Sequence, residues 1–383
     1  MTRPVAQGDG RLLELDLLRF GAALAVVAFH YLVAFNSVWG QRPAQLFPEV
    51  ATLAGLGILG VELFFIISGF VILMSVWGRG VGEFAVSRVV RLFPAYWLSV
   101  LAVAGVYGLT SATALDPKFS LRDYLVNLTM VQRGVGVADA NGVYWSLWVE
   151  LRFYVLISLL VLVGVTMKRC VAFMAAWLVA SVFAAGLESK LLDLILMPKY
   201  APYFIAGMAL YLIYRFGSSL LLWGLVVVSW ALAVLSATNR VEGRAKLVGI
   251  AAMPVPEWTV VVTVTVMFVL MALVAVGGLR KARWRGWAPL GAITYPLYLF
   301  HTPVAVLMIP ALRGQMPPWA AATLTTATAI ALSYLVYRLA EQPLQRMLKP
   351  RLGASLKFLR SDGLAPHTLS SSGDKRTEKA SVP

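Results

Sequence analysis

Residues 15–30 read LDLLRFGAALAVVAFH, and this stretch decides in which solvent the chain folds. It is apolar enough to begin a bilayer-crossing helix, yet it holds Asp16, Arg19 and His30. At about 100° per residue the three fall within roughly 60° of one another, a single polar stripe on a greasy helix. An ionisable ring at membrane depth is costly and marks a pathway or a reaction site. The stripe is therefore predicted to face a protein interior instead of lipid. Asp16 and Arg19 also stand at i, i+3, the spacing of a structural ion pair. Left unpaired near the bilayer centre, such a charge costs roughly 2.5–3.5 kcal/mol on insertion scales.

Outward from that helix the pattern repeats. Of 383 residues 60% are hydrophobic and 13% charged, about half the charge of a typical soluble domain. Apolar runs of roughly 20 residues, the bilayer-spanning length, recur along the chain. The reading is all-α: a polytopic membrane protein with about ten transmembrane helices, near 17–35, 53–74, 92–110, 147–167, 171–187, 200–214, 220–237, 259–279, 289–309 and 319–337. Lys246 to Met253 leaves room for a small re-entrant piece. The first span is too long and too polar at Asp16 and Arg19 for a cleaved signal peptide, and is expected to be retained.

The net charge is +15. With the N-terminus in the cytoplasm, the inner segments carry about twice as many Lys and Arg as the outer loops, whose cations are accompanied by acids. The charge therefore reports topology, with both termini cytoplasmic in the cell (inner or plasma) membrane, and the bilayer is the expected partner; a nucleic-acid partner is not. Residues 1–350 read as one membrane domain, and the polar stretch 351–383 as a disordered cytoplasmic tail. Gly78 to Arg91 has the amphipathic, basic pattern of an interfacial helix. The outer loop 111–146 either covers a cavity, presents an acceptor, or simply bridges two helices. One cysteine, Cys170, supports neither a disulfide framework nor a thiolate metal site, and no metal is expected. Its basic neighbours Lys168 and Arg169 suit a reactive thiol, its size an inert packing residue.

Polar residues interrupt the spans in distinctive phrases. The second span reads Gly60-Val-Glu62-Leu-Phe64-Phe65-Ile-Ile-Ser68-Gly69; then come Arg88-Val-Val-Arg91 and Tyr144-Trp145-Ser146-Leu-Trp-Val-Glu150. The ninth span holds Tyr298-Leu-Phe-His301-Thr-Pro303, and the tenth ends in Tyr337-Arg338-Leu-Ala-Glu341-Gln-Pro343. In this order and register they resemble the acyltransferase-3 family of integral membrane O-acyltransferases. Its members show an Arg eleven residues before a membrane His, Phe-Phe-x-x-Ser-Gly, Arg-x-x-Arg, Trp-Ser-Leu…Glu and Tyr-Arg…Glu-x-Pro. The chain departs from the pattern at Glu62, where many members have Asp, and at Leu151-Arg152, where Glu and Gln are common. No counterpart of the extracytoplasmic hydrolase-like domain fused to some members is expected.

The resemblance implies transfer of an acyl group, often acetyl, from cytoplasmic acyl-CoA to a hydroxyl of a carbohydrate or glycosylated molecule, with no permanently bound cofactor. The residues suit that chemistry. Imidazole is the ordinary base for a hydroxyl attacking a thioester, and His30 lies about 16 Å along the helix from Arg19, a distance a pantetheine arm can cover. His30 is thus the expected base or transient acyl carrier. Arg88 and Arg91 share one helical face and suit the donor's phosphates, as does Arg19 with Asp16, although positive-inside anchoring alone accounts for such arginines.

Glu62 and Glu150 are candidate catalytic residues as partners for His30 or for the arginines, or else structural charge pairs inside the bundle. Ser68 reads as a small residue that lets helices approach, or as a nucleophile. His301 satisfies the carbonyl freed by Pro303, or lines the acceptor site with Tyr144. Arg338 and Glu341 are expected to pair at i, i+3, with donor binding a second role. The runner-up is a transporter or flippase for a glycolipid or polysaccharide that uses the buried charges as a proton relay. A further alternative acceptor is a small secondary metabolite such as a macrolide.

Overall fold

The computed structural model describes residues 11–110, 119–187, 189–247 and 255–362. Among these the chain is helical, and the β content is one isolated bridge between Arg313 and Met316. Among the described residues nine helical stretches are long and apolar enough to cross a bilayer, and the molecule is a multi-pass membrane protein. The main helices are α1 (Leu13–Phe29), α2 (Gly60–Val76), α3 (Val81–Thr110), α4 (Trp145–Val163), α5 (Met167–Gly186), α6 (Ala201–Phe216), α7 (Leu220–Leu247), α8 (Glu257–Val276), α9 (Trp287–Leu312), α10 (Pro318–Val336) and α11 (Gln342–Asp362).

The one remaining span read from sequence, the sixth, is α6. It has 16 residues, fewer than the nine, and every residue from Ala201 to Ile213 is buried. A helix that is apolar all round belongs in a core, and α2, α5, α7 and α8 surround this one. Its contact with α2 depends on two glycines. A Cβ on Gly69 would lie 2.1 Å from the Phe204 carbonyl oxygen, and one on Gly207 2.0 Å from that of Ile66. Small residues at both crossing points let the two backbones meet, and dispersion over the close contact holds them. The stripe on α1 is bordered in the same way: Gly57 and Gly60 lie against the Ala25 and Ala22 carbonyls.

Two boundaries differ from the sequence reading. Gly78 to Arg91 is largely the opening of α3, which continues through Pro94 into the third span. After α10 a five-residue π-helical turn, Tyr337–Glu341, leads into α11, which passes Pro350 and reaches Asp362. The chain is thus helical for some distance past residue 350, and the remainder of the expected tail lies outside the described residues. So does most of the proposed re-entrant piece. A second π turn, His30–Ala34, ends α1. The helix ends define two poles. One carries Arg11, Arg19, Arg88 and Arg91 and is called the basic end; the other lies beyond His30 and His301.

Candidate active site

A cavity of about 1400 Å3 runs inward from the basic end between α1, α2, α3, α4, α6, α9 and α11. It exceeds the roughly 300–1,000 Å3 typical of small-molecule sites. Exposed Arg79, Glu83, Arg346 and Lys349 line its mouth, and Ser68, Ser146, Glu150 and Tyr298 its deep end. Arg19, Arg88 and Arg91, which sequence reading had placed with a phosphorylated donor, all line this one space.

Each arginine is held differently. Asp16, only 2% exposed, takes Arg11 Nε at 2.5 Å and Arg19 Nη1 at 3.5 Å. It fits because Gly291 faces it: a Cβ there would lie 2.4 Å from the carboxylate. Arg88 is set over the rings of Phe84 and Tyr154, at 5.7 and 6.0 Å. Its Nη2 donates to Ser87 Oγ at 2.8 Å, while its Nε is buried with no hydrogen-bond partner. A cation presented over aromatic faces with an unsatisfied donor suits an incoming anion. Arg91 Nη1 bonds Glu341 Oε1 at 3.3 Å. Here the sequence reading needs correction. Glu341 pairs with Arg91 and with Gln345 Nε2 at 2.8 Å, and exposed Arg338 is outside the cavity lining. The π turn is wider than an α turn, so i and i+3 no longer align and Glu341 swings inward.

At the deep end the Ser68 hydroxyl donates a short hydrogen bond to Glu150 Oε1. Above them the Tyr298 hydroxyl bonds Ser146 Oγ at 2.7 Å and the Val143 carbonyl at 3.0 Å. The Phe64 and Tyr298 rings meet edge to face, with centroids 6.0 Å apart. Beyond this ring layer lie the histidines, neither of them in the cavity lining. His30 and His301 face each other, Nδ1 of the first 3.3 Å from Nε2 of the second. Each Nδ1 also meets the carbonyl four residues earlier, Val26 at 2.9 Å and Leu297 at 3.1 Å. A carbonyl only accepts, so the network assigns the proton to Nδ1 on both rings and leaves His30 Nε2 as a basic nitrogen. His301 is fully buried, and the Tyr31 hydroxyl donates to its carbonyl at 2.7 Å.

The remaining predicted residues separate. Glu62 lies outside the cavity and pairs closely with Arg240, whose guanidinium rests over Trp145 at 4.5 Å and Tyr200 at 5.5 Å. Tyr144 is buried behind the site, its hydroxyl 2.7 Å from Ser99 Oγ. The carbonyl that Pro303 frees, Leu299, accepts from Asn141 Nδ2 at 3.0 Å and Ser99 Oγ at 3.3 Å, so His301 is released from that duty. Asn141 lies in the long loop and ties its later part to α9. Arg152 donates to the Asp193 and Leu194 carbonyls near the end of the short helix Lys190–Leu196. Cys170 is fully buried, the inert packing role. At the basic end, Arg283 forks onto buried Glu14 at 3.0–3.2 Å, and this bond lifts the guanidinium above its ordinary pKa.

Sequence reading missed Arg240, Tyr298 as part of the site, and the cavity face of α11. Tyr298 had a usable signal, three residues before His301 on the same helix face. Arg240 had none, because the apolar run of α7 stops short of it and the helix does not.

Among the described residues the fold is that of an all-helical, polytopic membrane protein. The acyltransferase-3 family model, described as an acyltransferase domain, matches residues 12–338, and the chain belongs to this family. It is 29% identical to nodulation protein 10 of Rhizobium leguminosarum bv. viciae over 147 residues, covering 32% of this chain and 40% of that protein. It is 33% identical to acyltransferase MdmB of Streptomyces mycarofaciens over 150 residues, 38% of each chain. The chain thus spans about two fifths of the length of the curated relatives it matches. No solved structure matches it significantly.

Proposed function

We propose that this protein is an O-acyltransferase of the cell membrane that moves an acyl group, most simply acetyl, from cytoplasmic acyl-CoA to a hydroxyl of a carbohydrate or glycosylated acceptor. The observation that carries the reading is the cavity: arginines at its mouth, Ser68 and Glu150 at its deep end, and a histidine pair one ring layer further on. In this reading the basic end faces the cytoplasm. The donor's phosphates rest with Arg88, Arg91 and Arg19, and the pantetheine arm carries the thioester toward the histidines.

His30 Nε2 takes the proton of the acceptor hydroxyl as its oxygen attacks the thioester carbonyl carbon. The carbon–sulfur bond then breaks, and the thiolate leaves as CoA after regaining that proton. His301 positions His30 through the Nδ1···Nε2 contact, as an orienting partner does in other bases. Reaction requires the Phe64–Tyr298 layer to part, a side-chain rotation well within the range of ligand-induced change. Ser68 and Glu150 border the path of the thioester. A glycosylated secondary metabolite fits the same scheme as an alternative acceptor.

The test is transfer of radiolabel from [14C]acetyl-CoA to the glycan and glycolipid fraction of membranes bearing the full chain. Label should appear with the wild-type protein and vanish with His30→Ala at equal abundance. Equal labelling by both proteins removes His30 from the reaction, and no donor-dependent labelling removes acyl-CoA.

A further inference from the structure

The helix that follows the last span has one face turned into the cavity. Gln342, Gln345, Arg346, Lys349, Gly353 and Leu356 of α11 all line it, and at 100° per residue they form one stripe about 80–100° wide. The helix is fixed at two points against α3. At its start Glu341, fully buried, bonds Arg91 and Gln345. Further along, Leu356 fills the space over Gly82, where a Cβ would lie 2.5 Å from the leucine. These contacts set an antiparallel register in which Arg346 and Lys349 fall between the two anchors, farther from the cavity floor than Arg91. They are i, i+3 neighbours, the same spacing as Arg88 and Arg91 on the facing helix. The mouth therefore has two basic walls. The α3 wall is partly committed, since Arg91 meets Glu341 and Arg88 rests on two rings.

A coenzyme A donor carries two kinds of phosphate. Its pyrophosphate adjoins the pantetheine arm, and a separate 3′-phosphomonoester sits at the adenosine end, farthest from the thioester. With the thioester at the cavity floor, the monoester is left at the mouth. We propose that Arg346 and Lys349 of α11 form the subsite for this terminal phosphomonoester, which makes the helix after the last span part of the donor site. The proposal rests on the donor reading above and adds to it a recognition element of its own. An anionic lipid headgroup offers the same phosphate chemistry from the bilayer side, so the test separates the two sources.

The test measures binding of CoA and of 3′-dephospho-CoA to the full chain in phosphatidylcholine nanodiscs, for wild type and for Arg346→Gln/Lys349→Gln. Charge-assisted phosphate contacts predict that wild type prefers CoA by about tenfold or more. The variant should lose that preference while its affinity for dephospho-CoA stays unchanged. Unchanged dephospho-CoA binding also reports that the variant is folded. Persistence of the preference in the variant overturns the proposal, as does equal loss of both ligands. No preference in wild type overturns it too, but leaves the donor reading standing. Wild type that binds neither ligand removes the donor reading itself. Repeating the measurement with phosphatidylglycerol tests the lipid source: an intact CoA preference in the variant, with only phosphatidylglycerol retention lost, assigns the two cations to lipid and sinks the subsite.

Discussion

The two poles of the site are built on opposite principles. The basic end is wide, open and over-supplied with cations drawn from α1, α3 and α11, with acids beside them. The histidine end is closed by packed rings, and its polar atoms are satisfied by carbonyls and hydroxyls a single helical turn away or on a touching helix. The contrast matches the task that the proposed reaction gives each pole. Capturing a polyanion from water needs charge that remains hydrated until the ligand arrives. Holding a neutral imidazole needs a site without competing charge, in which carbonyls fix the tautomer. The Phe64–Tyr298 layer keeps the two apart, so in the proposed reaction charge capture and proton transfer would take place in separate surroundings.

The comparison can be broken most directly at the histidine end. His30→Ala is expected to lower acetyl transfer by about 10²–10⁴-fold, the usual contribution of a positioned base, at normal protein abundance; a mild loss would move the chemistry elsewhere. Next in size is the ion pair outside the cavity. Glu62→Gln leaves Arg240 with its partner neutralised, and thermal unfolding in detergent should show a loss of about 3–5 kcal/mol. Glu62→Gln/Arg240→Gln should recover part of that loss, and no recovery would mean that the pair is not coupled.

Arg88→Ala probes the basic end. Removing a charged phosphate contact worth roughly 1.5–3 kcal/mol should raise KM for acetyl-CoA about 10–100-fold, with kcat changed far less. A fall in kcat alone would place Arg88 in the chemical step. The smallest expected effect is at the layer between the poles. Tyr298→Phe retains the ring but loses its bonds to Ser146 and Val143, costing about 0.5–1.5 kcal/mol of stability. Donor hydrolysis without acceptor should rise severalfold as the layer loosens, and an unchanged rate would mean that the hydroxyl does not restrain it.

Much of this was legible in order along the chain. The polar stripe Asp16–Arg19–His30 is inward, as helical spacing requires, and the arginines at 19, 88 and 91 share one cavity. The partners were not legible. Glu341 was assigned to Arg338 by spacing on an ideal helix, and a π turn gave it to Arg91 instead. Spacing leaves Glu62 open between the site and a structural pair, and the structure gives it to Arg240, beyond the hydrophobic run of α7. Glu150 found Ser68 and not a histidine.

What the amino-acid sequence determined by itself is periodic and local: which segments are apolar for long enough to cross a bilayer, which faces carry charge, and the phrases that place the chain in its family. Water and lipid impose those constraints on each segment separately, so they can be read one helix at a time. Only the tertiary structure decided which charges meet, that His30 and His301 adjoin across 271 positions of sequence, and that α11 closes one wall of the cavity. Those outcomes depend on glycine-set helix approaches and on two π turns that rotate whole faces by a fraction of a turn. A small rotation at one residue moves every side chain beyond it, and no local pattern records the result.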